Sequence, residues 1–167
     1  ADKENFRTIQ DERPVYMSGD EIRSSADPKI FWHCFVDEAI GGFGIFDDGK
    51  LVSLASVRTE SDELLEIGVD SAQEAQGRGM GRAVASAAGS WILDQDKLVW
   101  WTTSTWNVPS SRLSRALGLA HVWSEIVAVP GPFRMPPQPL GAPAPDAEIR
   151  QYYPEWAMNQ NIKPRED

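Results

Sequence analysis

The sequence predicts a mixed α/β (α+β) domain, an antiparallel meander joined to a parallel strand pair with flanking helices. Three observations carry this prediction. Two β-prone runs, 43–46 and 51–58, flank Asp47-Asp48-Gly49, a turn whose glycine accepts positive φ. A third apolar run, 64–70, passes through a glycine-rich turn into an apolar-periodic helix that reaches Leu93. Leu98 to Ser104 then reads as a further strand. Strand–helix–strand units of this kind set their strands parallel, with a right-handed crossover.

Taken in order, residues 1–28 are polar and mixed, with a short apolar stretch at Pro14 to Met17 that suits an edge strand. Lys29 to Ile40 places Ile30, Phe31, Cys34, Phe35 and Ala39 near helical spacing after Asp27-Pro28. That pair suits a helix start, and Gly41-Gly42 a stop, so a helix is expected here. His33 and Cys34 on it read as core or rim residues, with no metal-ligand spacing around them. Thr59 to Glu63 is a polar turn into the strand 64–70. In the helix beyond the glycines, Met80, Val84, Ala87, Ala88, Trp91 and Ile92 share one face. Trp100 and Trp101 crowd the strand 98–104, and Trp106 follows its end. Residues 124–129 read as a last strand. Seven of the twelve prolines then fall in 130–145, which predicts an extended strap. An aromatic cluster, 150–156, is expected to dock on this domain or on a second copy, as in a homodimer. The expected division is a domain over 1–129 and a strap and tail over 130–167.

Between Gln76 and Gly81 three glycines alternate with Arg78 and Met80. Such spacing lets backbone N–H groups converge on a ligand where side chains would block them. The first turn of the helix that follows carries partial positive charge, so an anion such as a phosphate is the natural guest. No lysine follows as in a Walker loop. The third glycine comes one residue too early for the dinucleotide fingerprint, and the unit is preceded by about 60 residues of apparent strand and helix.

The pattern that fits is Gln/Arg-x-x-Gly-x-Gly/Ala, here Gln76 to Gly81. It resembles the pyrophosphate loop of the GNAT superfamily of acetyl-CoA-dependent N-acetyltransferases. Asn107 at a strand end, the short helix carrying Ser110, Ser111 and Ser114, and the stop Leu117-Gly118-Leu119 resemble that superfamily's second signature. The likeness spans roughly residues 43–129 and is greatest to a bacterial subgroup with a longer loop before the glycines. It implies a GNAT-like fold in which the parallel strands splay and the pantetheine arm of acetyl-CoA lies between them. Ile67 and Val69 would pair with that arm as a further strand does. Gln76, Gly77, Arg78, Gly79, Met80, Gly81 and Arg82 would hold the diphosphate, while Asn107, Ser110 and Ser111 would touch the arm. The segment before the central strands would pack beside the acceptor.

Acetyl transfer to an amine requires a neutral nucleophile. A lysine-like amine of pKa about 10.4 lacks that form at pH 7 by about 4.6 kcal/mol. A carboxylate can take up the proton. Glu66, mid-strand beside the wedge, is the first choice for this base, with Glu63 and Asp70 in reserve. The competing reading places Glu66 on a solvated sheet face. Ser114 stands where many members of the superfamily carry a tyrosine acid, so it offers a hydroxyl to the sulfur in a weaker role. The function expected is N-acetylation of a small-molecule or peptide amine by direct attack in a ternary complex. The alternative is a silent acyl-CoA-binding sensor or scaffold.

A net charge of −9 disfavours a nucleic-acid partner and favours cationic acceptors. The single cysteine, Cys34, permits no internal disulfide and suits a reducing compartment. No run of about 18 apolar residues or signal-peptide pattern is seen, so a cytoplasmic protein without membrane attachment is expected.

Overall fold

The computed structural model describes residues 1–104 and 107–122. The chain divides into two compact units, one of residues 1–103 with 109–120 and one of 104–108 with 121–167. The elements below belong to the first unit, save the opening residue of the last helix. The expected strand 124–129, the strap, the aromatic cluster and Trp106 lie outside the described residues.

Among the described residues, five strands form one mixed sheet in the order β1-β2-β3-β4-β5. β1 (Val15–Ser18) is the edge strand expected around Pro14 to Met17, and pairs antiparallel with β2 (Gly41–Asp47). β2 returns as β3 (Lys50–Thr59) through a two-residue turn, Asp48 at φ 49° and Gly49 at φ 76°. Both positive values match the right-handed twist of the flanking strands. β3 pairs antiparallel with β4 (Leu64–Ser71). Helix α2 (Met80–Asp94) then crosses over to β5 (Leu98–Trp100), parallel to β4. The meander and its parallel extension are as expected.

β3 is buried from Leu51 through Val57 because both of its faces are covered. Against one face lies α2, which shares a core with Ala55, Val57, Leu65 and Ile67. Against the other lie residues of 17–39, where Ile22, Phe31 and Cys34 pack on Leu54. Met80, Val84, Ala88 and Ile92 of α2 are buried as expected, whereas Ala87 and Trp91 are only half-buried. A second buried side, with Ala85, Ser86 and Gly89, replaces them. The N-terminal segment causes this. Ile9 N–H donates to Ser86 Oγ at 2.7 Å, and a Cβ on Gly89 would come within 2.1 Å of the Phe6 ring.

The helix expected over 29–40 is absent. The first helix, α1 (Gly19–Ser25), starts earlier on a capping box: Ser18 Oγ accepts from Glu21 N–H, and Glu21 Oε2 accepts from Ser18 N–H at 2.7 Å. Asp27 does start one turn, its carbonyl accepting from Ile30 and Phe31 N–H. The turn does not propagate, since His33 N–H donates to the Asp70 carboxylate and Phe35 takes a left-handed conformation. Residues 36–38 form only a 3₁₀ turn. Tertiary hydrogen bonds have outbid the helical spacing. β5 is also shorter than expected, ending at Trp100, with residues 101–104 outside the ladder.

No helix among the described residues is long and apolar enough to cross a membrane.

Candidate functional site

The parallel pairing of β4 with β5 stops at Glu66 and Trp100, but β4 runs on to Ser71. Residues 67–71 keep β3 on one side and, among the described residues, have no ladder partner on the other. Ile67 and Val69 therefore lie where a strand edge is open, and the edge leads directly into the glycine turn.

The turn is anchored at its base. Ala72 and Ala75 are buried, Ala72 N–H donates to Val52 O, and Gln76 Nε2 donates to Ser71 O. Gly77 and Gly79 then adopt φ of +73° and +75°, and a Cβ at either would meet nothing within 4 Å. The space over both glycines is open. Gly79 caps α2 with no side-chain hydrogen bond, so the first-turn N–H groups are left for another acceptor. Met80 buries its side chain, which leaves only its main-chain amide for such a role. Arg82 is exposed, while Arg78 Nη1 reaches Asp47 Oδ2 at 3.2 Å. The latter pair is solvent-exposed on both sides and holds Arg78 weakly. Open geometry, positive helix end and free strand edge together fit a diphosphate carrying a long amide arm.

Helix α3 (Val108–Ala116) carries the three serines. Trp101 Nε1 donates to Ser110 Oγ at 2.9 Å, tying α3 to the end of β5. Ser114 Oγ donates to Ser111 O at 3.1 Å, within its own helix. Asn107 belongs to the other unit, where its N–H donates to Ser104 O at 2.9 Å.

On the sheet face opposite α2, Gly68 and Asp70 of β4 meet His33 and Phe35, and Glu66 reaches Glu38 through Arg58. Glu66 is 0% exposed, which corrects the solvated-face reading. Arg58, its cross-strand partner, donates from Nε (2.9 Å) and Nη2 (2.6 Å) to Glu66 Oε2. Thr102 Oγ1 donates to the other carboxylate oxygen. Arg58 also bonds Glu38 at 2.9 Å and lies 3.8 Å over the Phe35 ring. Burial acts to lower the Arg58 pKa, but its bonds to Glu66 and Glu38 prevail and raise it. The buried charge of Glu66 is thus matched, and both its oxygens are engaged.

Asp70 is the reserve residue that the structure connects. Its Oδ2 accepts from His33 N–H at 2.7 Å, and its Oδ1 lies 2.8 Å from His33 Nδ1. The ring of Trp32 lies against that of His33, 3.5 Å between centroids and tilted by 35°. By sequence His33 reads as a core or rim residue. Alternation along β4 puts Asp70 on the face of Glu66, but nothing local in the sequence brings His33 to it. Cys34 is core, as expected. Burial, and then the charge of Asp70, push its thiol pKa well up, and Sγ donates to Leu54 O.

A family model described as GNAT acetyltransferase matches residues 32–123, and the chain belongs to that family. The likeness seen in Gln76 to Gly81 and Asn107 to Leu119 is therefore one of membership. Among solved structures, the chain is similar to an acetyltransferase of the GNAT family from Novosphingobium aromaticivorans (17% identity, 68% of this chain and 53% of that one, TM-score 0.55). It is also similar to a GCN5-related N-acetyltransferase-like protein from Streptococcus suis (22% identity, 65% and 47%, TM-score 0.54). A third match is AAC(6')-Iy in complex with a CoA–acetylneamine bisubstrate analogue (16% identity, 70% and 95%, TM-score 0.56). At these identities the likeness is one of fold. The chain spans about half the length of the first two structures. A comparison with curated proteins finds no match.

Proposed function

We propose that this chain transfers the acetyl group of acetyl-CoA to a primary amine of a small molecule or peptide, by direct attack in a ternary complex. One observation carries the reading. The β4 edge, unpaired beyond Glu66 among the described residues, runs without interruption into a turn whose glycines leave open space and bare amides at the start of α2. A ligand with amides along an arm and a diphosphate at its end has the shape of that surface. Family membership and the CoA-complexed fold relative support the same reading.

Acetyl-CoA supplies the activated thioester. Main-chain groups of Ile67 and Val69 align the arm, and the amides of Gly77, Arg78, Gly79, Met80, Gly81 and Arg82 receive the diphosphate. Arg78 and Arg82 add positive charge at its rim. Ser110 and Ser111 are assigned to the arm, and Ser114, whose hydroxyl is used within α3, to a minor role near the sulfur. Glu66 was the first choice for the base. With both oxygens engaged, it is proposed instead as the anchor that, through Arg58 and Thr102, fixes the strand ends where β4 and β5 part.

The test is a thiol-release assay with acetyl-CoA and a panel comprising spermidine, an aminoglycoside and a lysyl peptide. Calorimetric titration with acetyl-CoA runs beside it. Binding with amine-dependent thiol release supports transfer. Binding without release for any amine supports the silent sensor.

A further inference from the structure

We infer that His33 is the proton acceptor for the attacking amine, with Asp70 as its positioning residue. The inference rests on the acetyl-transfer reading above and deepens it.

Asp70 lies in 67–71, the stretch of β4 left open beyond Glu66, and on the face opposite α2. Its carboxylate grips His33 twice, through the main-chain N–H and through Nδ1. Because a carboxylate only accepts, the neutral imidazole carries its proton on Nδ1 toward Asp70, which leaves the Nε2 lone pair to take another. The approach is close: a Cβ on Gly68 would fall 2.2 Å from His33 O and 2.9 Å from the Phe35 ring. Only glycine at 68 lets residues 33–35 settle on the strand whose edge receives the donor. The His33 side chain is 44% exposed and that of Asp70 15%. A solvent-reachable imidazole is thus held by a mostly buried carboxylate, while Glu66 on the same face is sealed. Trp32, 70% exposed and lying against the imidazole, offers an aromatic face to an approaching ammonium.

The chemistry balances without another reactant. The ammonium of the acceptor gives one proton to His33 Nε2. The neutral nitrogen attacks the thioester carbonyl carbon, so a carbon–nitrogen bond forms. The carbon–sulfur bond breaks and its electron pair leaves with sulfur. The second nitrogen-bound proton goes to the thiolate, and His33 returns its own to solvent.

The test compares acceptors of different basicity. Thiol release is measured with spermidine, cationic at pH 7, and with an aniline-type amine, already neutral there. His33→Gln should lower kcat for spermidine about 100-fold, leave KM for acetyl-CoA unchanged, and keep kcat for the arylamine within about threefold, an allowance for altered contacts. Asp70→Asn should give the same split with a smaller loss. In His33→Ala, added imidazole should restore part of the spermidine rate. Undiminished spermidine turnover in His33→Gln, or equal loss with both acceptors, overturns the assignment. If wild-type protein binds no acetyl-CoA by calorimetry, the transfer reading falls and this one with it. If it binds and turns over but His33→Gln is unaffected, only this one falls.

Discussion

The two sides of β4 are built in different ways. Along its edge, the proposed donor side consists of consecutive residues, 67–82, in which strand, turn and helix start follow one another. On its face, the proposed acceptor side gathers His33, Arg58, Glu66, Asp70 and Thr102 from separate parts of the chain. The first presents backbone amides that glycines uncover, the second side chains that other side chains hold. The lesson is that an anion cradle can be written locally, whereas a cluster of paired ionisable groups here requires the assembled sheet.

Breaking the acceptor side should have the largest effect on stability. Arg58→Ala leaves the fully buried Glu66 carboxylate without its cation and should cost about 3 kcal/mol in denaturant unfolding. Breaking the donor side should instead cost little stability and most of the binding. Gly79→Asp puts a carboxylate about 5 Å from a bound phosphate, a repulsion of about 3 kcal/mol at an effective dielectric of about 20. Calorimetry should record acetyl-CoA affinity lower by more than about 100-fold, while the left-handed backbone at φ +75° limits the loss of stability to about 1 kcal/mol.

Gly68→Ala sharpens the contrast, since it lies on the strand that both sides share. Its methyl group must displace His33 O, for an expected loss of about 1–3 kcal/mol. Amine turnover should fall more than acetyl-CoA affinity, as read by kcat beside calorimetry. The smallest effect belongs to Gly49→Ala, whose turn meets the glycine loop only through exposed pairs, Asp47 with Arg78 and Lys50 with Glu74. At φ +76° with open space around it, the substitution should cost about 1 kcal/mol and leave both binding and turnover intact.

What was legible in the sequence follows the same division. Asp48-Gly49 wrote its own turn, and the strand, glycines and helix of 64–94 were readable because each signal lies within a few residues of its effect. The Ser18–Glu21 capping box was also written locally, but the helix it starts is only seven residues long and has little apolar periodicity. Residues 29–40 misled in the opposite sense. Phe31 and Cys34 are buried as a helical spacing implies, yet one turn satisfies that spacing. The hydrogen bond from His33 to Asp70, across 37 residues of sequence, decides the rest. Glu66 was found as a residue but not as an environment. Its burial depends on Arg58 across the ladder and Thr102 beyond β5, neither of which periodicity reveals.

The missing side chain at residue 68 has a mechanical consequence. It lets a loop rest on a strand as firmly as a second layer would, so the imidazole is referenced to the sheet and not to a mobile lid. At about 3.3 Å per residue, Ile67 and Asp70 stand about 10 Å apart along the same strand. The place proposed for the imidazole, relative to the strand edge proposed for the arm, is then a matter of register, fixed before either substrate arrives.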